Sequence, residues 1–502
     1  MDFYDILKQH EMTDLLSRVE LELPNFRNTE SVNEVLKQIK IHQSEVFIIG
    51  DYDVDGLMCN LILKDGLHLL GIRNVSVFPY RLRMHSLDPV AVQRCIQGGY
   101  KYCIIADCGS NNLGLLKRLS QYGITVILLD HHETSLSYDD YEKVDGLHVI
   151  NTMLENTEYN LSAGALCYCV IARLCKQLGI DEMGLSVYAL ISLYADCMGM
   201  KSKLNRAIYY KAMEVPSENF PRCISMFMNK YQTLSARFIN FWFSPRINAL
   251  FRTEALEYVN QLFLYDDMMT ADIAAVLQKV ELLYEQAREM VLRVADVIQV
   301  IELNNIVIAD LMSVNDYVGV AENRLWNYTG LVANKLSDRY AKAAFVYCNN
   351  GDGVKGSVRD IFGRDFLTLF SQLCRAEGHN AAFGTHIQLF DLDRFVDNLT
   401  RLDKRISLSS VSNKPIVVQY RYTTPDDSLI EDIALVNEFS GTGIPVVLLK
   451  KQRIGDMREI KTDYSYKYPW GNYYLQSQYS ISFGSWVLLR PTKGIHTKLI
   501  AQ

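Results

Sequence analysis

The sequence has no uninterrupted apolar stretch of about 18 residues, the length a helix needs to cross a bilayer, so no transmembrane helix is expected. Its opening residues, MDFYDILKQHEMTDLL, contain no apolar run of the kind that directs secretion, and no signal peptide is expected. Glycine recurs without a period, which excludes a collagen-like chain. Eleven cysteines in 502 residues are too dilute for a disulfide scaffold, and no Cys-x-x-Cys pair repeats as in a structural zinc site. Cys103, Cys167, Cys169 and Cys197 sit in apolar runs, which reads as reduced, buried thiols in a cytosol-like compartment. Internal repeats and low-complexity segments are absent. Positive charge is not in excess: 51 Lys and Arg stand against 58 Asp and Glu, a net charge of −7. That argues against wholesale coating of nucleic acid but leaves room for a local basic groove. A hydrophobic fraction of 49% with 22% charged residues excludes disorder as a description of the whole chain. A cytoplasmic enzyme or nucleic-acid-handling protein is expected.

What is present is alternation. EVFIIG, VSVFPY, YCIIAD and TVILLD read as strands within residues 45–130, separated by helical patterns over 57–71, 88–98 and 113–123. Continuous apolar strands alternating with helices indicate an α/β fold with a parallel sheet covered on both faces. Mostly helical segments follow over roughly 162–240. Over 271–298, apolar residues from Ile273 to Val294 step by 3, 1, 3, 3, 1, 3, 3, 1, 3 without Gly or Pro, one stripe of a long amphipathic helix. This reads as a connection between domains, the alternative being a core helix of the first domain. Strand–helix alternation resumes over 303–395, with a helix through 323–340 and another over 365–376, and β-type runs close the chain. The expected organisation is a parallel-sheet domain over 1–250, a connecting helix over 251–302, a smaller α/β domain over 303–400 and a β-rich module over 401–502.

The chemistry lies in how the strands end. FIIG runs into Asp51-Tyr52-Asp53-Val54-Asp55-Gly56, CIIA into Asp107-Cys108-Gly109, and ILL into Asp130-His131-His132, while the helical run YALISLYA ends in Asp196. In an open α/β sheet the ligand crevice lies beyond the carboxyl ends of the strands, so these groups should converge there. Four or more carboxylates cannot share a small crevice fully ionised without counter-charge. Divalent cations supply it, and oxygen ligands plus an imidazole suit Mn²⁺ or Mg²⁺ better than zinc. Two ions could activate water and hold a phosphoryl group. Taken singly, an Asp after a strand is usually a helix cap or turn residue. Asp-x-Asp-x-Asp-Gly also resembles a calcium loop, but Ile62 stands where the twelfth-position Glu would be.

Together these segments resemble the four ordered motifs of the DHH phosphoesterases. More narrowly, the chain is similar to the RecJ family of single-strand-specific exonucleases. Leu161-Ser162-Ala163-Gly164-Ala165, Asn205-Arg206 and Ser244-Pro245-Arg246-Ile247-Asn248-Ala249 resemble RecJ segments. Lys355-Gly356-Ser357-Val358-Arg359 and Gly378-His379-x-Ala381-Ala382 resemble motifs of the DHH-associated domain, DHHA1. Glu438 to Pro445 resembles a stretch near RecJ's oligonucleotide-binding (OB-like) module.

The resemblance implies that Asp53, Asp55, Asp107, His131 and Asp196 hold two divalent cations, Mn²⁺ or Mg²⁺, with Asp55 or Asp107 bridging and Asp51 either supporting or binding a metal. It implies that Asp130 orients the imidazole of His131 and that His132 contacts the scissile phosphate or helps the leaving oxygen. Arg246 and Asn248 would hold the DNA backbone, and Ser357, Arg359, Gly378 and His379 would grip a phosphate from the opposite domain. The implied reaction is hydrolysis of single-stranded DNA from its 5′ end to 5′-mononucleotides, with RNA or short oligonucleotides as further candidate substrates and no membrane partner. Departures are Asp360 after Arg359, Ala376-Glu377 in place of glycines, and Tyr328-Thr329 before Gly330. Asp360 places a new carboxylate beside the expected phosphate grip.

Single-strand binding also needs a basic track and stacking rings. Arg81, Arg83, Arg252, Lys450, Lys451 and Arg453 are candidates for the track. The aromatic run from Tyr464 to Trp486 reads more simply as a β-hairpin with rings on its core face than as a stacking platform. Two other functions are weighed. Phosphodiesterases of very short or cyclic dinucleotides usually carry a His where this chain has Ile49. A non-catalytic replication scaffold would be expected to have lost metal ligands, and none is lost here.

Overall fold

A computed structural model describes residues 3–501 except 82–85, 156–158, 183, 229–232, 266–269, 315–321, 350–352, 361–363, 380, 405–415, 420–424, 442–443, 453–456, 462–464, 471, 478–479, 483–485 and 494–497. The first sheet contains β1 (Val46–Gly50), β2 (Val75–Val77), β3 (Tyr102–Ala106), β4 (Thr125–Asp130) and β5 (Leu147–Asn151) in the order β2-β1-β3-β4-β5. All its pairs are parallel. The strands are apolar throughout because each face meets its own core. Val46, Ile48, Ile104, Ile127 and Ile150 point into one, Phe47, Ile49, Cys103, Ile105, Val126 and Leu128 into the other. β5 is absent from the sequence reading, since LHVIN is short and its first two residues are only half-buried.

The order of strands reverses at β1 and β3, so the chain leaves those two neighbours toward opposite sides and opens a crevice at their carboxyl ends. Helix Val54–Leu69 follows β1, and helices Ala163–Leu178 and Leu185–Ala195 pack beside it. The last of these is buried along nearly its whole length.

Helix Thr270–Val297 spans 28 residues, about 42 Å at 1.5 Å per residue. Its apolar stripe serves two cores: Val276 and Val280 join the first domain's, whereas Ala287, Met290, Val291 and Val294 join that of the second sheet. That sheet runs β10-β11-β9-β8-β7-β6, with β6 Val300–Glu302, β7 Ile306–Asp310, β8 Ala343–Asn349, β9 Val354–Arg359, β10 Arg375–His379 and β11 Ala382–Ile387. The helix expected over 365–376 is only Leu367–Phe370. Arg375 to His379 instead pair antiparallel with β11, where a sheet edge was open to them. The helix expected through 323–340 is a 3₁₀ turn followed by helix Thr329–Tyr340.

The terminal region forms a seven-stranded sheet, β12 Ile416–Gln419, β13 Val447–Gln452, β14 Ile460–Lys461, β15 Tyr466–Trp470, β16 Tyr473–Ser477, β17 Trp486–Thr492 and β18 Lys498–Ala501, ordered β12-β13-β17-β18-β16-β15-β14. Tyr468, Trp470 and Tyr473 are buried, and Tyr474 and Trp486 are exposed. The core-face reading of the aromatic run therefore holds for Tyr468, Trp470 and Tyr473 but not for Tyr474 and Trp486; Tyr464, Tyr479 and Phe483 lie outside the described residues, as do Arg83 and Arg453. Cys103, Cys167 and Cys169 are buried, but Cys197 is exposed because it follows the end of its helix. Among the described residues no helix is long and apolar enough to cross a membrane.

Helix Asp427–Glu438 docks this module on the first domain. Tyr194 Oη donates to the Glu438 carbonyl at 3.0 Å, and the Ala236 N–H donates to the Glu438 carboxylate. Burial raises the Glu438 carboxyl from 4.5 to about 7, against the opposing pull of that N–H, Lys493 and Arg490. A carboxyl raised on folding favours the folded state fully below its unfolded value and loses that advantage as pH rises to its folded value. Stability should therefore fall between pH 4.5 and about 7, by roughly 3 kcal/mol from this group. Glu438→Gln should remove that share, so that urea midpoints of the two proteins diverge over this interval in favour of the variant.

Candidate functional site

Register aligns the acidic residues. Gly50 pairs with Ala106, and Ala106 with Leu129, so Asp51, Asp107 and Asp130 are each the next residue beyond one row. The turn after β1 folds back tightly: a Cβ on Gly56 would lie 2.4 Å from the Asp51 carbonyl oxygen, so only glycine fits. Asp53 caps helix Val54–Leu69, its Oδ1 accepting from Gly56 N–H at 3.1 Å. The ordinary capping role of Asp53 and its place in the cluster hold together.

Asp55 faces helix Ala163–Leu178 and accepts from the N–H groups of Ala163 and Gly164, each at 2.9 Å, and from Ser192 Oγ. A Cβ on Gly164 would stand 3.1 Å from Asp55 Oδ1 and 2.5 Å from Ser192 Oγ, which accounts for the small residues of the Leu161–Ala165 turn. Asp107 holds a left-handed φ of +61°, uncommon outside glycine and a mark of functional sites. Asp196 arrives at the end of helix Leu185–Ala195.

The described side chains bring three sets of ligand atoms within 4.8 Å of one another: Asp55, His131 and Asp196; Asp51, Asp53 and Asp107; and Asp107, His131 and His132. His131 Nε2 lies 3.3 Å from Asp107 Oδ1, 3.5 Å from Asp196 Oδ2 and 3.7 Å from Asp55 Oδ2. Asp107 belongs to a set with Asp51 and Asp53 and to a set with the two histidines, and His131 links it to the set of Asp55 and Asp196.

Burial, then Asp196 and Asp53, push the Asp55 carboxyl well above its usual range. Asp107 is pushed the same way by burial and by Asp55, Asp53, Asp51 and Asp196. This is a site whose own charges repel and which positive ions would satisfy; its oxygens and one imidazole nitrogen fit Mn²⁺ or Mg²⁺. Asp130 is the contrast. Burial alone would raise it, but His132 and Ser110 hold it below the usual carboxylate range. Its Oδ1 accepts from the backbone N–H of His131 at 2.8 Å and of His132 at 3.2 Å and stands 2.8 Å from His132 Nδ1, so the ring it orients is that of His132 and not, as expected, that of His131, which it meets through the backbone. Burial alone would lower the His132 imidazole, but Asp130, Asp196 and Asp51 raise it to about 10. The His132 side chain is 41% exposed at the rim of the cluster.

That rim opens on a crevice of about 410 Å³. One wall carries Asp51, Asp107, Asp130 and His132 with the polar run Ser110 to Asn112, and the other carries Arg375, Ala376 and Gly378 of β10. Arg375 is absent from the sequence reading, which placed it in a helix; its charge beside the altered glycine motif is the signal that was there to find. Gly378 takes φ +138°, and a Cβ there would meet the Ala382 carbonyl at 2.8 Å. The backbone of His379 pairs with Ala382, and its side chain lies outside the described residues.

Other candidates sit differently. Ser357 and Arg359 meet helix Thr329–Tyr340 at its start: Ser357 Oγ is 2.8 Å from Thr329 Oγ1, and a Cβ on Gly330 would lie 3.0 Å from Arg359 Nη2. Arg359 acts electrostatically on Cys197, the neighbour of Asp196. Asp360, expected to burden this grip, is matched by Arg364 through contacts of 2.7 and 3.0 Å.

Arg246 is buried, donates from Nε and Nη2 to Glu281 at 2.6 and 2.7 Å, and stacks on Trp242 and Tyr284. A phosphate reaching it would have to displace Glu281, a residue of the connecting helix that the segment's own sequence does not reveal. Asn248 is half-buried on the same helix, Ser244–Arg252, and Arg81 is exposed. Arg206 is fully buried and donates to Asp14 and to the carbonyls of Met200 and Lys201, anchoring the N-terminal segment.

Residues 45–198 match the DHH family, N-terminal domain. The single-stranded-DNA-specific exonuclease RecJ of Bacillus subtilis is 23% identical over 477 residues, a span covering 91% of this chain and 56% of that protein. The crystal structure of RecJ in complex with Mn²⁺ from Thermus thermophilus superposes with a TM-score of 0.70 at 17% identity, covering 99% of this chain and 74% of the other. A second crystal structure, of exonuclease RecJ bound to manganese, gives 0.57 at 20% identity, covering 77% of this chain and 97% of the other. At such identities the structural likeness establishes the fold. Residues 45–198 thus match the N-terminal domain of the DHH family, and the chain as a whole takes a fold like that of RecJ.

Proposed function

We propose that the protein is a phosphodiester hydrolase that uses two divalent cations, Mn²⁺ or Mg²⁺, to degrade single-stranded DNA from the 5′ end to 5′-mononucleotides. The observation that carries this reading is that two sets of carboxylates, Asp51–Asp53–Asp107 and Asp55–Asp196, adjoin through Asp107 and His131, 3.3 Å apart. Asp55, His131 and Asp196 would hold one ion, Asp51 and Asp53 the other, with Asp107 shared. Ions bound there would neutralise the cluster, polarise phosphoryl oxygens and lower the pKa of attacking water.

The chain's own part is orientation and charge. Asp130 engages the His132 ring at Nδ1, which would leave Nε2 as the donor to the scissile phosphate or the departing oxygen. Asp51 and Asp196 contribute to the upward push on His132, and bound ions would remove their share while leaving that of Asp130. Ser357, Arg359, Gly378 and His379 of the second α/β domain are the candidate grips on the substrate's phosphates, with Arg375 added by the structure. Relatives named as single-stranded-DNA-specific exonucleases, and RecJ structures holding Mn²⁺ or Mg²⁺, support the reading.

A time course on 5′- and 3′-end-labelled single strands, with EDTA, Mn²⁺ or Mg²⁺, tests it. Mononucleotides should leave the 5′ end only when a cation is present. Preference for duplex DNA, for the 3′ end, or for dinucleotides over long strands would contradict it.

A further inference from the structure

β5, the strand the sequence reading passed over, ends in Asn151, which pairs with Asp130 across β4. Asn151 is fully buried, and every polar hydrogen on its side chain is engaged. Nδ2 donates to Ser110 Oγ at 2.8 Å and to the His132 carbonyl at 3.0 Å, while Oδ1 accepts from Met153 N–H at 2.8 Å. Ser110 N–H donates to Asp130 Oδ2 at 3.1 Å, and Asp130 Oδ1 receives the two histidine N–H groups. Tyr141 Oη closes on the Ser110 carbonyl at 2.7 Å.

These bonds form a ring that runs from Asn151 to Ser110, to Asp130, to His132 and back. Ser110 lies three residues beyond Asp107, so the ring ties the loop carrying Asp107 to the turn carrying His131 and His132. Neither loop has regular structure of its own to set that distance. Asp130 bonds both loops through its carboxylate, and Asn151 ties them a second time, its Nδ2 donating to the Ser110 hydroxyl on one loop and to the His132 carbonyl on the other.

We infer that Asn151 is a positioning residue: it sets the separation of Asp107 from His131 and His132 and so keeps the metal-ligating and phosphate-contacting groups in register. This rests on the two-cation reading of the site. Asn151 touches neither ion nor substrate; it acts through the two loops. Supports of this kind around metal ligands commonly carry a 10- to 100-fold effect on affinity or turnover.

The test is Asn151→Ala in the full chain. At saturating Mn²⁺, kcat on a single-stranded oligonucleotide should fall by about 10- to 100-fold, with KM held within about threefold. Titration of Mn²⁺ followed by electron paramagnetic resonance should show affinity weakened by about tenfold. A residue with a merely structural role would lower the unfolding temperature and leave kcat and Mn²⁺ affinity per folded molecule unchanged, and that result overturns the inference, as does a change confined to KM. If Asn151→Ala does not accumulate folded, Ser110→Ala decides instead: it breaks one link of the ring, and the same losses in smaller measure support the inference whereas parental values refute it. Failure of the parental protein itself to bind Mn²⁺ or cleave single strands would strike the proposed function; normal parental behaviour with an unaltered variant would strike only the role of Asn151.

Discussion

Asp107→Asn should fold and lose cation-dependent hydrolysis, with turnover down by about 10³-fold or more. The substitution is chosen for its backbone. Asp107 sits at φ +61°, a conformation that asparagine tolerates better than most residues, so the amide keeps the loop while removing the charge. The carboxylate is buried among Asp51, Asp53, Asp55 and Asp196, which disfavour its ionised form. Its replacement should therefore leave the unfolding temperature in EDTA equal to or above that of the parent. Mn²⁺ at about 100 times its dissociation constant should stabilise the parent by about 2.7 kcal/mol and the variant far less. Mn²⁺ affinity by calorimetry, unfolding curves with and without Mn²⁺, and turnover on a labelled strand check all three. A variant that keeps both Mn²⁺ and nuclease activity would remove Asp107 from the centre.

His132→Gln should separate chemistry from metal binding. Glutamine keeps a side-chain N–H near the rim but cannot carry an imidazolium's charge or proton. If His132 serves the phosphate or the departing oxygen, kcat should drop by about 10²- to 10⁴-fold while Mn²⁺ affinity stays close to the parental value. His131 Nε2, not His132, is the imidazole nitrogen that stands 3.3–3.7 Å from Asp107, Asp196 and Asp55. Parallel loss of Mn²⁺ and turnover would instead make His132 a ligand, the alternative offered by its place in a set with Asp107 and His131. The two variants together distinguish a residue that assembles the centre from one that uses it.

Much of the first domain could be read directly. The apolar strands β1, β3 and β4 are buried at nearly every residue, and the carboxylates mark where those strands stop. The stripe over 271–298 gave the long helix, because a 3.6-residue period survives whatever the helix touches. Its two cores were not in that stripe: Val280 and Val294 look alike along the chain and differ only in which sheet they meet. Arg375 was misassigned because the pull of an open sheet edge outweighs local helical preference. The partners of Arg246 and Asp360 differ in kind. Arg364 is four residues from Asp360 and could have been suspected, whereas Glu281 is thirty-five residues from Arg246 and could not.

By itself the sequence determined the local terms: alternation of strand and helix, the apolar faces, and the residue types able to hold cations. These depend on neighbours within a turn or a pleat. Tertiary structure decided which carboxylates share a space, which arginines already have a counter-ion, and that Asn151 bridges two loops. Those outcomes depend on strand order and register, set by the packing of whole layers, and no local stretch of chain encodes them.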